Sequence, residues 1–337
     1  MYQVVVCPAA SLTSKRRARF HKGGFVFVQD DLPSLKTHLR RLREGGEPEV
    51  HERVDLRAWT ALGVGGLADL LIRCRSADGL QRAIDLLATH GLPWLVLGAG
   101  SRLVPPDEGL KVPVLNLSGN LGLWELDLDG AVAGGGANLA QVCRAAARTG
   151  LPGMETLMAT ASSVGGAVHA TDRGHLPLGG MLDWVDLARP GAPVERVHPR
   201  SDTKGSPGDG LDLARHVIVR ARLQLAGIGT AAFPARVEGI GRARLHRLPR
   251  STSPFFIGPP GSRAETVLAE AGCVGMSVGG ARVSTKYPNR ISSSRAARSA
   301  DIIQLTREVQ LAAAERTGVV LEPALCFVDE HGAAVDL

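Results

Sequence analysis

The sequence predicts a multi-domain α/β protein, and three observations carry that expectation. The chain has 337 residues, beyond the ~250–300 at which a single hydrophobic core usually stops growing. Apolar residues make up 44% and charged residues 21%, ordinary values for a packed chain and unlike those of a disordered or fibrous one. From Val54 onward, short apolar runs alternate with amphipathic stretches, the texture of strands laid against helices.

Residues 1–53 read as a basic N-terminal extension, with a cluster Lys15-Arg16-Arg17-Ala18-Arg19, a strand-like Phe25–Gln29 and a charged helical stretch Leu35–Glu44 stopped by Gly45-Gly46. Residues 54–118 form a first unit, with strands at Ala68–Cys74, Pro93–Leu97 and Pro113–Leu117 and a helix at Ala77–His90. In that helix Leu80, Ile84, Leu87 and Ala88 make one apolar stripe, and Gly91 supplies the stop. Residues 119–226 form a second unit: a strand pair around Trp124–Ala133, the turn Gly134-Gly135-Gly136, a helix Leu139–Thr149, another glycine turn at Ser163–Gly166 and a strand His216–Leu225. Residues 227–252, with the basic stretch Ile228–Pro249, read as a connector. Residues 253–337 form a C-terminal α/β unit with helices Ser262–Ala271 and Ser299–Thr317, the latter closed by Gly318 before a strand Val319–Leu321.

The formal net charge is +6, but residues 1–57 hold eleven Lys/Arg against seven Asp/Glu, so most of the basicity belongs to the N-terminal stretch. Its basic cluster is open to two readings, a phosphate contact or a solvated arm. With aromatics at only 4%, base-stacking surfaces are poorly supplied and no nucleic-acid partner is expected. Cys7, Cys74, Cys143, Cys273 and Cys326 are scattered, with no CxxC and no histidine at ligand spacing. Neither a disulfide framework nor a metal site is therefore expected, and a reducing cytoplasm fits. No run of ~18 uncharged apolar residues suggests membrane insertion, and the apolar opening precedes the positive cluster, the wrong order for a secretory signal.

Strand Pro93–Leu97 runs into Gly98-Ala99-Gly100-Ser101, a turn whose small residues let backbone amides approach an anion. Alone it reads as a tight structural turn. It recurs, however, in an ordered series with Thr60-Ala61-Leu62-Gly63-Val64-Gly65-Gly66, Gly134–Gly136 and Val164-Gly165-Gly166. Leu151-Pro152-Gly153-Met154-Glu155, Pro259-Pro260-Gly261, the stretch Gly280 to Asn289 and Leu321-Glu322-Pro323 complete the series. On these motifs the chain from Val54 to Val328 resembles the UDP-N-acetylenolpyruvoylglucosamine reductase (UDP-N-acetylmuramate dehydrogenase) family.

That resemblance implies an FAD-binding fold of the vanillyl-alcohol-oxidase/PCMH type, two subdomains holding the flavin and a C-terminal α/β domain serving the substrate. It implies NADPH as co-substrate, a UDP-sugar as substrate and a role in peptidoglycan precursor synthesis, hence in cell-wall biogenesis, cell shape and division. Residues Gly98, Ala99, Gly100 and Ser101 would bind the FAD pyrophosphate, with Thr60, Val64, Gly65, Gly66, Gly134, Gly135 and Gly136 walling the cofactor and Val164, Gly165 and Gly166 near the flavin ring. Lys286 and Asn289 fall where the family contacts substrate, and a lysine suits a diphosphate; a plain surface lysine is the other reading. The oligomeric state is open, with a monomer favoured.

The chain departs from the family where the chemistry is done. The proton-donor motif Gly-Ser-x-Phe-Lys-Asn-Pro becomes Ser253-Pro254-Phe255-Phe256-Ile257-Gly258-Pro259, so Pro254 stands at the serine position and has no proton to give. Ser253 is either a re-aimed donor or an ordinary turn hydroxyl. The catalytic glutamate of the final strand becomes Ala324; Glu322, two residues earlier, shares its face but sits ~6.5–7 Å along the strand. The family arginine has its one counterpart in Arg200, without the usual tyrosine. The flavin-side loop becomes Thr171-Asp172-Arg173-Gly174, and His169, His175 and His198 lie near altered motifs without an assigned role. Only about 25 residues separate Leu225 from the altered serine motif, the spacing of the family's shorter subtype. A reductase is the leading expectation. The alternative is a non-catalytic descendant binding a nucleotide or a protein, and a flavin oxidase of the same fold is disfavoured because the Gly98 turn lacks a tethering histidine.

Overall fold

The computed structural model describes residues 37–38, 47–151, 153–154, 157–158, 161–171, 178–199, 216–225, 237–240 and 254–337. The expected strand Phe25–Gln29 and nearly all of the helix expected at Leu35–Glu44 lie outside those residues, as do Asp172–Gly174, His175, Arg200 and Ser253.

The first unit contains β1 (Glu49–Asp55), β2 (Leu67–Cys74), α1 (Ala77–Thr89), β3 (Leu95–Val96), β4 (Leu103–Val104) and β5 (Val114–Leu117). Four of these strands form a sheet in the order β1-β2-β5-β3, with β2, β5 and β3 parallel and β1 antiparallel on the outside. Helix α1 starts where the Ser76 hydroxyl accepts the Gly79 amide at 3.0 Å, a side-chain N-cap. Its stripe Leu80, Ala83, Ile84 and Leu87 is fully buried, each larger side chain contributing ~1.5–3 kcal/mol. Past its end, Gly91 adopts φ 67°, the left-handed conformation that stops helices.

The second unit is built from β6 (Leu123–Leu126), β7 (Gly130–Gly134), α2 (Leu139–Arg148), α3 (Val164–Thr171), β8 (Leu182–Arg189), β9 (Ala192–Val197), β10 (Val217–Gln224) and β11 (Val237–Ile240). Its six strands pair antiparallel in the order β11-β6-β7-β10-β8-β9. One core joins α2 and α3 to this sheet through Leu126, Ala133, Val142, Cys143, Val164 and Val168. A second core combines the α1 stripe with Ala188, Val217 and Val219, so the two sheets are packed together rather than tethered.

The C-terminal unit comprises β12 (Phe256–Ile257), α4 (Ala264–Glu270), β13 (Ser277–Val278), β14 (Ala281–Val283), β15 (Ile291–Ser293), α5 (Ser299–Thr317), β16 (Glu322–Pro323) and β17 (Cys326–Phe327). Strands β13, β14 and β15 form a meander, and β12 pairs with β16. Strand β17 instead runs parallel to β4, with Cys326 opposite Leu103, which stitches this unit to the first. Asp107, from the first unit, caps α5: its carboxylate accepts the Ser299 and Ala300 amides at 2.9 and 3.2 Å, where an acidic group suits the helix dipole.

Several elements differ from the sequence reading. β1 begins at Glu49 inside the stretch read as an extension, and β11 lies inside the stretch read as a connector, paired with β6. The turn expected at Ser163–Gly166 opens helix α3, and the strand expected at Val319–Leu321 lies instead at Glu322–Pro323 as β16.

Candidate functional site

The turn Gly98–Ser101 joins β3 to β4, and its surroundings fix it from both ends. The Leu97 amide donates to Leu115 at 2.8 Å and the Leu97 carbonyl accepts from Asn116 Nδ2 at 2.9 Å. The Gly100 carbonyl accepts the Ala61 amide at 2.9 Å, and the Arg102 carbonyl accepts the Cys326 amide at 2.8 Å. Gly100 has φ 61°, and a Cβ there would overlap the Trp59 carbonyl, so only glycine fits. The carbonyls of Leu97, Gly100 and Arg102 are thus used by the protein itself.

The amides are not. Among the described residues, none of the N–H groups of Gly98, Ala99, Gly100 and Ser101 donates a hydrogen bond, nor does the Ser101 hydroxyl, although Ala99 is 6% and Ser101 8% exposed. Buried backbone donors are nearly always paired. Four consecutive donors of this kind beside a cleft can serve acceptors carried by a ligand, and successive amides favour an anion.

The cleft onto which they open is lined by the whole 95–103 segment, by Leu117, Gly135, Ser162, Ser163, Gly165, Gly166, His169 and Ala170, by 216–218 at the start of β10, and by Ala324 and Cys326. It holds about 190 Å³, less than the ~300–1,000 Å³ of pockets that engulf a small molecule, so it takes a section of a long ligand. A donor-rich turn beside an apolar wall of Leu97, Leu103, Leu117 and Ile218 suits a ligand with an anionic middle and a flat, apolar end. A dinucleotide flavin meets that description, and the residues present fit it.

The other glycine turns are spent inside the chain. Gly135 donates to Val219 at 2.7 Å and Gly136 to Leu121 at 2.8 Å; a Cβ on Gly135 would overlap the Ile218 carbonyl. At the start of α3, Val164 donates to Ala137 and Gly165 to Gly135, at 2.9 and 2.8 Å, and Gly166 donates to the Ser163 hydroxyl at 3.1 Å. That helix N-terminus therefore has no free amide for an anion. Thr60 is buried with its hydroxyl bridging the Val64 carbonyl and amide, and Gly65 and Gly66 pack against Pro105 and the 107–109 backbone. None of Thr60, Val64, Gly65 and Gly66 lines the cleft; this loop braces the Gly98 turn from behind.

Of the reaction-side positions, Ala324 lines the cleft, whereas Pro254 is exposed and outside its lining. Glu322 is exposed on β16 and does not reach the cleft. Lys286 is also exposed, its Nζ lying 5.2 Å from the Tyr287 ring centroid. Asn289, expected at a substrate contact, is buried; its Oδ1 accepts the Phe256 amide and its Nδ2 donates to the Phe256 carbonyl, both at 2.9 Å. Both ends of its amide are occupied in holding the strand that follows Pro254. Residues that the sequence reading did not assign also meet at the cleft, namely Ser162, Ser163, His169, His216 and Cys326. Nearness in sequence to Ala324 was the available signal for Cys326, which follows it by two residues.

Comparison with known proteins follows the same lines. Residues 68–185 match an FAD binding domain family, and residues 245–328 match the family described as UDP-N-acetylenolpyruvoylglucosamine reductase, C-terminal domain. The UDP-N-acetylenolpyruvoylglucosamine reductase of Syntrophotalea carbinolica is 31% identical over 277 residues, 80% of this chain and 91% of that protein. The same-named protein of Acidiphilium cryptum is 33% identical over 289 residues, 81% of this chain and 91% of its own. The crystal structure of UDP-N-acetylenolpyruvylglucosamine reductase from Thermus caldophilus superimposes with a TM-score of 0.60 at 27% identity, covering 83% of this chain and 99% of that one.

Proposed function

Because the chain belongs to the UDP-N-acetylenolpyruvoylglucosamine reductase family, we propose that it reduces UDP-N-acetylglucosamine enolpyruvate to UDP-N-acetylmuramate, with NADPH as reductant, in peptidoglycan precursor synthesis. The observation that carries the site assignment is the row of four unspent amides at Gly98–Ser101 facing the cleft. They and the Ser101 hydroxyl hold the FAD pyrophosphate, whose oxygens supply the acceptors the chain lacks. When bound there, FAD relays a hydride from NADPH to the enolpyruvyl double bond.

The chain's own residues do the rest. Leu97, Leu103, Leu117 and Ile218 exclude water from the reacting end, while Gly135, Gly165 and Gly166 keep side chains out of it. Thr60, Val64, Gly65, Gly66, Gly134, Gly136 and Val164 act at one remove, by fixing the backbone that lines the cleft. In this scheme residues 54–118 and 119–226 hold the flavin and residues 253–337 serve the UDP-sugar, with Lys286 offering a charge to its diphosphate. Asn289 positions the 254–257 segment. The setting is the cytoplasm, with no nucleic-acid partner; among the described residues no helix is long and apolar enough to cross a membrane and no cluster could hold a metal ion.

Purified protein tests this directly. It should be yellow, acid should release free flavin, NADPH should bleach the flavin band, and the enolpyruvyl substrate should restore it. A colourless preparation that takes up no added FAD overturns the proposal.

A further inference from the structure

With Pro254 at the usual serine position, the reduced substrate still needs a proton, and we propose that the Cys326 thiol supplies it. The inference rests on the reductase reading given above. Four of the chain's cysteines lie among the described residues. Cys74, Cys143 and Cys273 are 0% exposed, and burial, with a smaller effect from Glu47, pushes the Cys74 thiol up to about 12, the behaviour of inert core thiols. Cys326 differs: it is partly exposed, and the space it meets is the cleft.

Its position is tied to both halves of the site. Ala324 and Cys326 both line the cleft, two residues apart across the bend between β16 and β17, so the thiol shares a lining with the place vacated by the family carboxylate. The Cys326 amide donates to Arg102 at 2.8 Å, which locks the thiol-bearing backbone to the residue directly after the Gly98–Ser101 turn. An independent sign that the cleft takes a ligand is Ser101, 8% exposed, lining the same space, with its hydroxyl unpaired among the described residues.

The step balances simply. Hydride arrives at one carbon of the enolpyruvyl double bond and leaves an electron pair on its neighbour. That pair takes the thiol proton, forming the C–H bond as the S–H bond breaks, and the thiolate is reprotonated by water. As a class, thiols are stronger acids than serine hydroxyls.

The test compares Cys326→Ala, Cys326→Ser and Ser253→Ala in FAD-loaded protein by stopped flow, alongside iodoacetamide labelling quantified on the peptide carrying Cys326. Expected results are unchanged NADPH-driven flavin reduction in all three variants, reoxidation by substrate slowed ~10²-fold in Cys326→Ala, partial recovery in Cys326→Ser, and near wild-type reoxidation in Ser253→Ala. Wild-type labelling at Cys326 should be blocked by substrate. Equal reoxidation by wild type and Cys326→Ala overturns the proposal and leaves the reductase reading standing, with Ser253, His169 or His216 next to be replaced. A wild-type protein that is not reoxidised overturns both. Labelling that substrate does not slow also overturns the assignment, because a donor at the reacting carbon must be covered by it.

Discussion

The turns at Gly98–Ser101 and Gly134–Gly136 look alike as sequence and have opposite jobs. In both, a side chain on the central glycine would collide with backbone, so glycine is required for packing in each case. The difference lies in where the amides go. Gly135 and Gly136 donate within the chain, to Val219 and Leu121, whereas the four amides from Gly98 to Ser101 donate to nothing described. A glycine motif therefore marks close backbone approach, and only an account of its donors tells whether the approach is to the protein or to a ligand. Groups already spent hold the apoprotein together, while unspent groups act only when a ligand is present.

That contrast makes graded predictions. The largest effect is expected for Gly135→Ala, whose Cβ meets a backbone carbonyl that cannot step aside; urea unfolding of apoprotein should show a loss of about 3 kcal/mol. Asn289→Ala removes both bonds to the Phe256 backbone and leaves a buried amide and carbonyl unpaired, costing about 2 kcal/mol in the same measurement. A large change in substrate affinity with unchanged stability would instead make Asn289 a substrate contact.

Ser101→Ala probes the unspent class. Apoprotein stability should be unaltered, while the FAD dissociation constant, read by flavin fluorescence, rises about tenfold, the low end for a hydrogen bond to a charged group. Apoprotein that unfolds more easily after this change would break the distinction.

The smallest effect is expected at Asp186, which is spent on two partly exposed arginines. Its burial alone would raise its pKa, but hydrogen bonds and charge from Arg196 and Arg220, at 2.7 and 2.6 Å, outweigh that and hold it below the ordinary carboxylate value. Because both arginines are about half exposed, Asp186→Asn should cost only about 1 kcal/mol at neutral pH. The folded pKa is depressed, so the wild-type advantage is complete above the unfolded value of ~3.9 and fades as pH falls through the lower folded one. Unfolding curves of the two proteins should converge in acid; a gap that persists there would contradict the ion-pair account.

Sequence periodicity made α1, α2 and α5 legible because each presents a buried stripe at helical spacing, Ser299–Thr317 among them with matching ends. β1 was not legible, since Glu-Val-His-Glu-Arg-Val-Asp on an edge has only Val50 and Val54 as apolar residues among charged ones. β8 escaped for the opposite reason: nearly all of it is buried, Asp186 included, and the arginines that neutralise Asp186 come from two other strands. Helix α3 begins with two glycines near its N-terminus, which local propensity reads as a turn. The order of the glycine turns pointed to the cleft. The destination of each amide did not follow from it, because Val219 and Leu121 become neighbours of Gly135 and Gly136 only after the sheet has formed.

Synthesis runs in one direction, and the pairing of β17 with β4 gives that direction a consequence. Leu103 and Val104 leave the ribosome long before Cys326 and Phe327, and in the interval β4 is an unpaired edge and the Arg102 carbonyl waits for its donor. The nascent chain has the amides for a cofactor but not the wall opposite them. Cofactor loading is consequently a late event in the life of the polypeptide, coupled to closure of one of its most sequence-distant contacts, and a chain truncated before Cys326 should emerge folded in its early parts yet unable to retain flavin.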